Sequence, residues 1–254
     1  MKIITCCKVV PNEEEIKVLS NRKLDMAGVP FKISQYDLNA LESGKQLAAA
    51  TGGTQFALSI GSKAALEPTK IRKDILSRGV DELNVVMNDE CAFSDSLETA
   101  KAIVAALKES GAYDLVLCGM GSSDLYFQEV GVQVGTLLGL PCVNNVTGIE
   151  VAGEGVLKVE RTLEDEVEVL EIALPAVLSV SSEINVPAVP AMRDIMRAGK
   201  KPVNVLAAAV APAASTQVLE ELAPEQQERR QQVVEGDGEE AVAALVAFLK
   251  KECL

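Results

Sequence analysis

A short polar loop separates an apolar run from a helical pattern in DLVLCGMGSSDLYFQEVGVQVG, residues 114–135. Its small and acidic residues are Gly119, Gly121, Ser122, Ser123 and Asp124. Free amides at a helix start carry partial positive charge and attract phosphate, and glycine lets a ligand approach the backbone. The stretch also suits an ordinary turn with Asp124 as helix N-cap. It contains neither GxGxxG nor GxxxxGK[ST], so it indicates no dinucleotide or P-loop motif.

Two further loops follow apolar runs and offer similar groups. KISQYDLNALE (32–42) places Ser34, Gln35 and Tyr36 before a helical pattern, and SIGSK (59–63) places a glycine after a strand pattern. Loops that follow parallel strands open at one edge of the sheet, where ligands bind. We therefore expect the three loops to converge on one small ligand. Taken singly, each also suits a surface loop, the first capped by Ser34 or Asp37.

Strand and helix patterns alternate through the first half of the chain. Predicted strands cover 2–10, 56–61, 82–88 and 114–119, and predicted helices cover 37–50, 64–77, 94–110 (capped by Ser94 or Ser96) and 125–138. This order indicates βαβ units and a parallel sheet with a Rossmann-like α/β fold.

The pattern changes after Pro141. Alternating β-branched residues in 147–182, with turns at 153–155 and 164–166, predict an antiparallel addition. A proline-broken loop and a short helix follow in 186–203, where Met192 suits either the core or a partner contact; the residue types alone favour the core. We predict two domains, an α/β domain at 1–204 and, at 205–254, an extended arm and an amphipathic helix that contact another chain.

Composition excludes several classes of protein. The net charge of −13 argues against nucleic acid and anionic membranes as partners, and no apolar run is long enough to span a bilayer. The chain contains no histidine and no CxxC, which removes histidine triads and the usual zinc motifs. Its six cysteines lie mostly in apolar stretches, as in reducing, cytoplasmic proteins. These features favour a binder or carrier over a hydrolase.

The motifs together resemble the beta subunit of electron transfer flavoproteins. In order along nearly the whole chain they are MKIITCCKVVP, KISQYDLNALE, DLVLCGMGSSDLYFQEVG, VLKVERTLEDEVEVLEIALPAVLSV, INVPAVPAMRDIMRAGKKPV and ERRQQVVEGDGEEAVAALVAFLKK. The branch that contains the carnitine- and nitrogen-fixation-associated beta subunits is the most similar.

The resemblance implies an adenine-nucleotide-binding domain of the HUP type that pairs with an alpha subunit. The heterodimer is expected to hold FAD and to carry electrons between acyl-CoA dehydrogenase-type flavoproteins and a second redox partner. The resemblance implies that this chain binds AMP. It also implies that the chain is an electron carrier subunit rather than an enzyme. The alternatives are a second FAD, as in electron-bifurcating members that oxidise NADH, and a non-redox adenine-nucleotide sensor of the same fold.

The resemblance also implies site residues. The nucleotide site would comprise Cys6, Lys8, Ser34, Gln35, Tyr36, Asp37, Ile60, Gly61, Gly119, Met120, Gly121, Ser122, Ser123, Asp124, Phe127, Gln128 and Val130. Arg161 would approach the FAD of the alpha subunit, and Met192 would contact the dehydrogenase. Departures from the family pattern leave AMP and a second FAD both open: Ser34 and Gln35 replace Asn and Pro, and Phe127 and Val130 stand where members carry Thr.

Overall fold

The computed structural model describes residues 1–89, 95–207, 216, 218–225 and 233–252. The chain divides into two compact units. The first comprises Met1–Lys17 and Asp25–Glu220, and the second comprises Val18–Leu24 and Glu221–Leu254.

Strands and helices alternate through the first unit as the sequence predicts. The strands are β1 (Lys2–Cys6), β2 (Val9–Pro11), β3 (Lys17–Val18), β4 (Leu24–Asp25), β5 (Phe31–Ile33), β6 (Thr54–Gly61), β7 (Glu82–Met87), β8 (Leu115–Gly119), β9 (Cys142–Gly153), β10 (Val156–Thr162), β11 (Val167–Ala173), β12 (Ala176–Val180) and β13 (Val203–Val205). The helices are α1 (Gln35–Thr51), α2 (Lys63–Leu66), α3 (Thr69–Ser77), α4 (Ser96–Glu109), α5 (Val130–Leu138), α6 (Met192–Ala198) and α7 (Glu239–Glu252).

Within the described ranges, nine strands form one sheet in the order β11-β10-β9-β12-β8-β1-β6-β7-β13. Neighbours from β9 to β13 are parallel, whereas β10 runs antiparallel to both of its neighbours, β9 and β11. The predicted Rossmann-like α/β class with an antiparallel addition is confirmed. The chain runs outward from β1 to β6 and β7, and then returns to β8 on the other side of β1. This reversal creates a crevice at the carboxyl ends of β1 and β8.

Alternate residues of the central strands bury opposite faces of the sheet. Ile4 and Val116 pack in one core cluster with Ile103 of α4, whereas Ile3 and Leu115 pack in another with residues of α1. Helices therefore cover both faces, and continuous apolar runs are what such doubly covered strands require.

Two predicted elements are interrupted. The predicted strand 2–10 stops at Cys6, and β2 pairs instead with β5 in a separate ladder. The predicted helix 64–77 is divided into α2 and α3 at Pro68, which has extended backbone angles and lacks an amide hydrogen. One continuous apolar pattern in the sequence can therefore contain two separate strands or two separate helices.

The strand β12 corrects the predicted topology of 147–182. It lies between β8 and β9 and is parallel to both, so it belongs to the parallel core rather than to the antiparallel addition. All five of its residues are buried. The predicted turns at 153–155 and 164–166 are confirmed, and they join β9 to β10 and β10 to β11.

The C-terminal segment is described in part. Residues 208–215, 217, 226–232 and 253–254 of the predicted arm and helix lie outside the described residues, whereas the predicted helix is confirmed as α7. In the second unit, Arg22 and Ala223 share two hydrogen bonds: Ala223 N donates to Arg22 O (2.8 Å), and the side-chain Nε of Arg22 donates to Ala223 O (2.9 Å). In the parts of the chain that the structure describes, no helix is both long and apolar enough to cross a membrane.

Candidate functional site

A pocket opens at the carboxyl ends of β1 and β8, where the strand order reverses. It contains about 780 Å³ free of protein atoms, including its mouth to solvent. The lining residues are Cys6, Cys7, Lys8, Asp37, Leu58, Ile60, Asp95, Ser96, Thr99, Ile103, Cys118, Gly119, Met120, Gly121, Ser122, Leu125, Phe127, Gln128, Glu129 and Val130. Pockets at this place in open α/β sheets hold small ligands.

Asp37 joins the two strand ends at the pocket edge. From the first turn of α1, Oδ2 accepts a hydrogen bond from Lys8 N (2.7 Å) and Oδ1 accepts one from Gly119 N (3.1 Å). Burial raises the pKa of Asp37 to about 7, although the two amides, Lys8 and Ser34 act to lower it. The side chain is therefore a structural crosslink whose charge changes near neutral pH.

The glycines of the loop after β8 admit other parts of the protein close to the backbone. A Cβ on Gly119 would lie 2.5 Å from Asp37 Oδ1, and a Cβ on Gly121 would lie 2.5 Å from the ring of Tyr126. Close packing of α1 and Tyr126 therefore requires glycine here, and the predicted close approach of a ligand stays a prediction. Both glycines still line the pocket.

The loop between β8 and α5 is longer than predicted. The helix begins at Val130 with Glu129 as N-cap, so the predicted helix start at 125 and the alternative N-cap Asp124 are wrong. Two non-glycine residues of the loop, Tyr126 (φ 50°) and Gln128 (φ 62°), adopt left-handed backbone angles. Such conformations cost free energy and are found mostly at binding sites and turns.

The start of α5 supplies the free amides that the sequence predicts. The first hydrogen bond of the helix joins Gln133 N to Glu129 O (2.9 Å), so the amides of the preceding turn have no partner inside the helix. Gln128, Glu129 and Val130 all line the pocket. The position suits an anionic group.

Three thiols form part of the pocket wall. A hydrogen bond with Cys118, then burial, raises the pKa of Cys6, and burial raises the pKa of Cys7. Neutral thiols are weak nucleophiles, so these side chains serve as soft apolar surface.

The structure brings most predicted site residues together. Those that line the pocket are Cys6, Lys8, Asp37, Ile60, Gly119, Met120, Gly121, Ser122, Phe127, Gln128 and Val130. Ser34 is buried beside it and accepts a hydrogen bond from Ser123 N (3.2 Å), and Asp124 pairs with Lys8. Gln35, Tyr36 and Ser123 line a neighbouring open hollow. Gly61 lies at the end of β6 but does not line the pocket.

Nine lining residues were not predicted. They are Cys7, Leu58, Asp95, Ser96, Thr99, Ile103, Cys118, Leu125 and Glu129. Asp95 is the N-cap of α4 and accepts hydrogen bonds from Leu97 N (2.9 Å) and Glu98 N (3.0 Å); of the predicted caps, Ser96 is instead the first helical residue and Ser94 lies outside the described residues. The helix follows β7, so the rule that loops after parallel strands share an edge could have identified it.

Arg161 and Met192 lie outside the pocket lining. Arg161, on β10, forms an ion pair with Glu168 (2.5 Å) and donates to Asn144 Oδ1 (3.3 Å). Its predicted approach to a flavin stays a prediction. Met192 is 73% exposed, so the interpretation of Met192 as a core residue is wrong.

Comparison with protein families agrees with this architecture. A family model described as the electron transfer flavoprotein domain matches residues 22–211. The match covers most of the chain and contains β6, β8, β12, the loops at 32–42, 59–63 and 119–129, and the start of α5. Because it covers more than half of the chain, this match shows that the chain belongs to the electron transfer flavoprotein family.

Proposed function

We propose that the chain is the beta-type subunit of an electron transfer flavoprotein and binds AMP in the pocket at the ends of β1 and β8. With an alpha subunit it would hold FAD and carry electrons from an acyl-CoA dehydrogenase-type flavoprotein to a second redox partner. The observation that carries the proposal is the position of the pocket, at the strand reversal of a parallel sheet and at the N-terminus of α5.

The residues of the pocket fit an adenine nucleotide. Leu58, Ile60 and Ile103 offer apolar surface to a base, and the first amides of α5 offer donors to a phosphate. The hydroxyls of Ser96, Thr99 and Ser122 belong to the same wall.

The chemistry of the wall favours binding over reaction. The thiols of Cys6 and Cys7 are neutral and Asp37 is engaged by two amides, so none of the three is a ready nucleophile. Members of this family associate with flavin, which supplies the electron-transfer chemistry when bound. The protein then contributes orientation and exclusion of water.

Exposed apolar surfaces support the proposed partners. Val186 and Val189 are each 90% exposed beside Met192, in the loop before α6. Helix α7 has no buried residue, and Val242, Leu245, Val246 and Leu249 follow one another at helical spacing. We propose that the loop contacts the dehydrogenase and that the predicted domain 205–254, through α7, contacts the alpha subunit.

The test is mass spectrometry of the nucleotides released on denaturing the co-purified complex of this chain with its alpha subunit. We expect one FAD and one AMP per complex. Two FAD and no AMP would replace the AMP assignment by the electron-bifurcating alternative. A complex that releases AMP but no FAD would support the non-redox nucleotide sensor, and no adenine nucleotide at all would exclude the site.

A matched pair of variants links the AMP to this pocket. Ile60→Trp places a larger side chain in the pocket, beside Leu58. It should release the AMP and leave the FAD in place. Ile16→Trp makes the same change at a half-buried isoleucine outside the lining and should retain both nucleotides. AMP that survives Ile60→Trp at full occupancy would place its site elsewhere.

A further inference from the structure

Lys8 is the one cationic residue in the pocket wall, as far as the structure describes the chain. The three carboxylates of the wall already have donors. Asp37 accepts from two backbone amides, and Asp95 accepts from Leu97 N and Glu98 N. Glu129 accepts from Ser96 Oγ (2.7 Å). An anionic ligand in the pocket therefore depends on Lys8 for its only nearby full positive charge.

The ammonium group of Lys8 is held by a residue that does not line the pocket. Lys8 Nζ lies 2.9 Å from Asp124 Oδ1 and 2.7 Å from Asp124 Oδ2, so both carboxylate oxygens contact it. Both side chains are 28% exposed. Burial acts to raise the pKa of Asp124, but hydrogen bonds from Lys8 and Ser122 outweigh it and leave the pKa below its ordinary value. The Asp124 carboxylate is therefore charged at neutral pH.

We propose that Asp124 is an internal competitor for Lys8 and thereby sets the affinity of the pocket for phosphorylated ligands. A phosphate that takes the donors which Lys8 gives to Asp124 breaks this ion pair, so the free energy of the pair is subtracted from that of phosphate binding. A ligand without phosphate leaves the pair intact. The inference rests on the proposed function, because it assumes that the pocket takes an adenine nucleotide.

The position of Asp124 fits such an exchange. Leu125 N donates to Asp124 Oδ1 (2.8 Å), so the carboxylate keeps one partner in its own loop when the lysine leaves. The same loop carries the left-handed residues Tyr126 and Gln128. When Lys8 moves from Asp124 to a phosphate, the segment after β1 therefore loses its ion pair with this loop, and the Asp124 carboxylate keeps one hydrogen-bond donor.

The experiment is calorimetric titration of the nucleotide-free complex with AMP and, separately, with adenosine. The proteins are the wild type, Asp124→Asn, Lys8→Met and the double variant. Asparagine keeps the oxygen that Leu125 N uses, and methionine keeps the length of the lysine without its charge. Glu13→Gln is the matched control, because it removes one negative charge from another ion pair, with Lys32 (2.7 Å), outside the pocket wall.

We expect Asp124→Asn to bind AMP about fivefold more tightly than the wild type, the effect of a partly exposed ion pair. Lys8→Met should bind AMP more weakly, and the double variant should match Lys8→Met. Adenosine affinity should be the same in all proteins, and Glu13→Gln should behave as the wild type.

Two results separate failure of the inference from failure of the proposed function. In the first, the wild type binds AMP, but Asp124→Asn binds it equally or more weakly, or Asp124→Asn raises the AMP affinity just as much in the Lys8→Met background. Either outcome overturns the competition between Asp124 and phosphate and leaves the proposed nucleotide site unaffected. Absence of AMP binding by every protein, together with no nucleotide released from the wild type, overturns both.

Discussion

Asp37 shows how a single buried carboxyl can join a fold to a site. It is 6% exposed and accepts hydrogen bonds from Lys8 N and Gly119 N, the residues that follow β1 and end β8. These two bonds favour the carboxylate, whereas removal from water favours the protonated acid, and burial is the larger effect. The residue thus crosslinks the strand ends at an electrostatic cost that depends on pH.

Stability should therefore fall as pH rises through the range in which Asp37 loses its proton. Its pKa is raised to about 7 in the folded chain, against about 3.9 in an unfolded one. Between these two pKa values the folded state binds more protons at Asp37 than the unfolded state does. The stabilisation of the folded state by this proton is therefore complete below about pH 4 and is lost as pH rises through about 7. Urea unfolding at pH 5 and pH 8 measures the difference.

The Asp37→Asn variant is the control for this pH dependence. Asparagine lacks the titration, so its free energy of unfolding should change less between pH 5 and pH 8 than that of the wild type. Its absolute stability is lower at both values, because the amide nitrogen faces a backbone donor. Equal pH slopes in the two proteins would assign the titration to another group.

At the scale of elements, α5 packs directly against β12 and β9 at positions where it carries glycine. A Cβ on Gly131 would collide with Ser179 Oγ, and a Cβ on Gly135 would lie 2.5 Å from Cys142 Cβ. Helix propensity alone favours alanine over glycine by about 1 kcal/mol. The close packing must outweigh that preference at both positions.

Gly131→Ala should therefore destabilise the protein, by about 1–3 kcal/mol, as overpacked cores do. Ser179→Ala removes the atom with which the new methyl collides, so the double variant should recover part of the loss. Val132→Ala, on the exposed side of the same helix, should cost little. Thermal unfolding of the four proteins is the measurement, and a stabilised Gly131→Ala would show that α5 is free to move outward.

The same elements show what the sequence could and could not predict. Apolar period and glycine stops predicted β6, β7, β8, α1 and α4 within about two residues, because local pattern decides such elements. The place of β12 could not be predicted, since a buried apolar run pairs equally well with any neighbour until the sheet is assembled. The start of α5 was predicted too early, because the residues after Asp124 are as apolar as one face of a helix. In the structure, Tyr126 and Gln128 instead adopt left-handed backbone angles, so the helix begins after them.

For the candidate site, the loops that follow the strands were predictable and their internal contacts were not. The carboxyl-edge rule brought the loops of Ile60 and Gly119 together, and the family resemblance added Lys8. The ion pair between Lys8 and Asp124 joins residues 116 positions apart. Only the folded chain brings these two charges into contact, so no local pattern could reveal the pair.

At the scale of the whole molecule, apolar side chains outside the core gather where partners are proposed. Met192 is 73% exposed and Met196 is 71% exposed, and both belong to the short helix α6. Large exposed apolar groups on a polar surface commonly mark interaction sites. Methionine adapts its shape to a partner surface at low cost.

Met192→Ala should leave folding and nucleotide content unchanged and should slow electron transfer from the dehydrogenase at least about fivefold, the effect of losing one interface anchor. The rate is measured by stopped-flow reduction of the alpha–beta complex by an acyl-CoA dehydrogenase and its substrate. Met26→Ala is the matched control, because Met26 is also exposed, at 43%, but lies outside α6.

Equal slowing by both variants would show that the start of α6 is no specific contact, and a lower melting temperature of Met192→Ala alone would show that the side chain supports the fold. A selective loss of rate, with both proteins equally stable, would place the dehydrogenase at the start of α6.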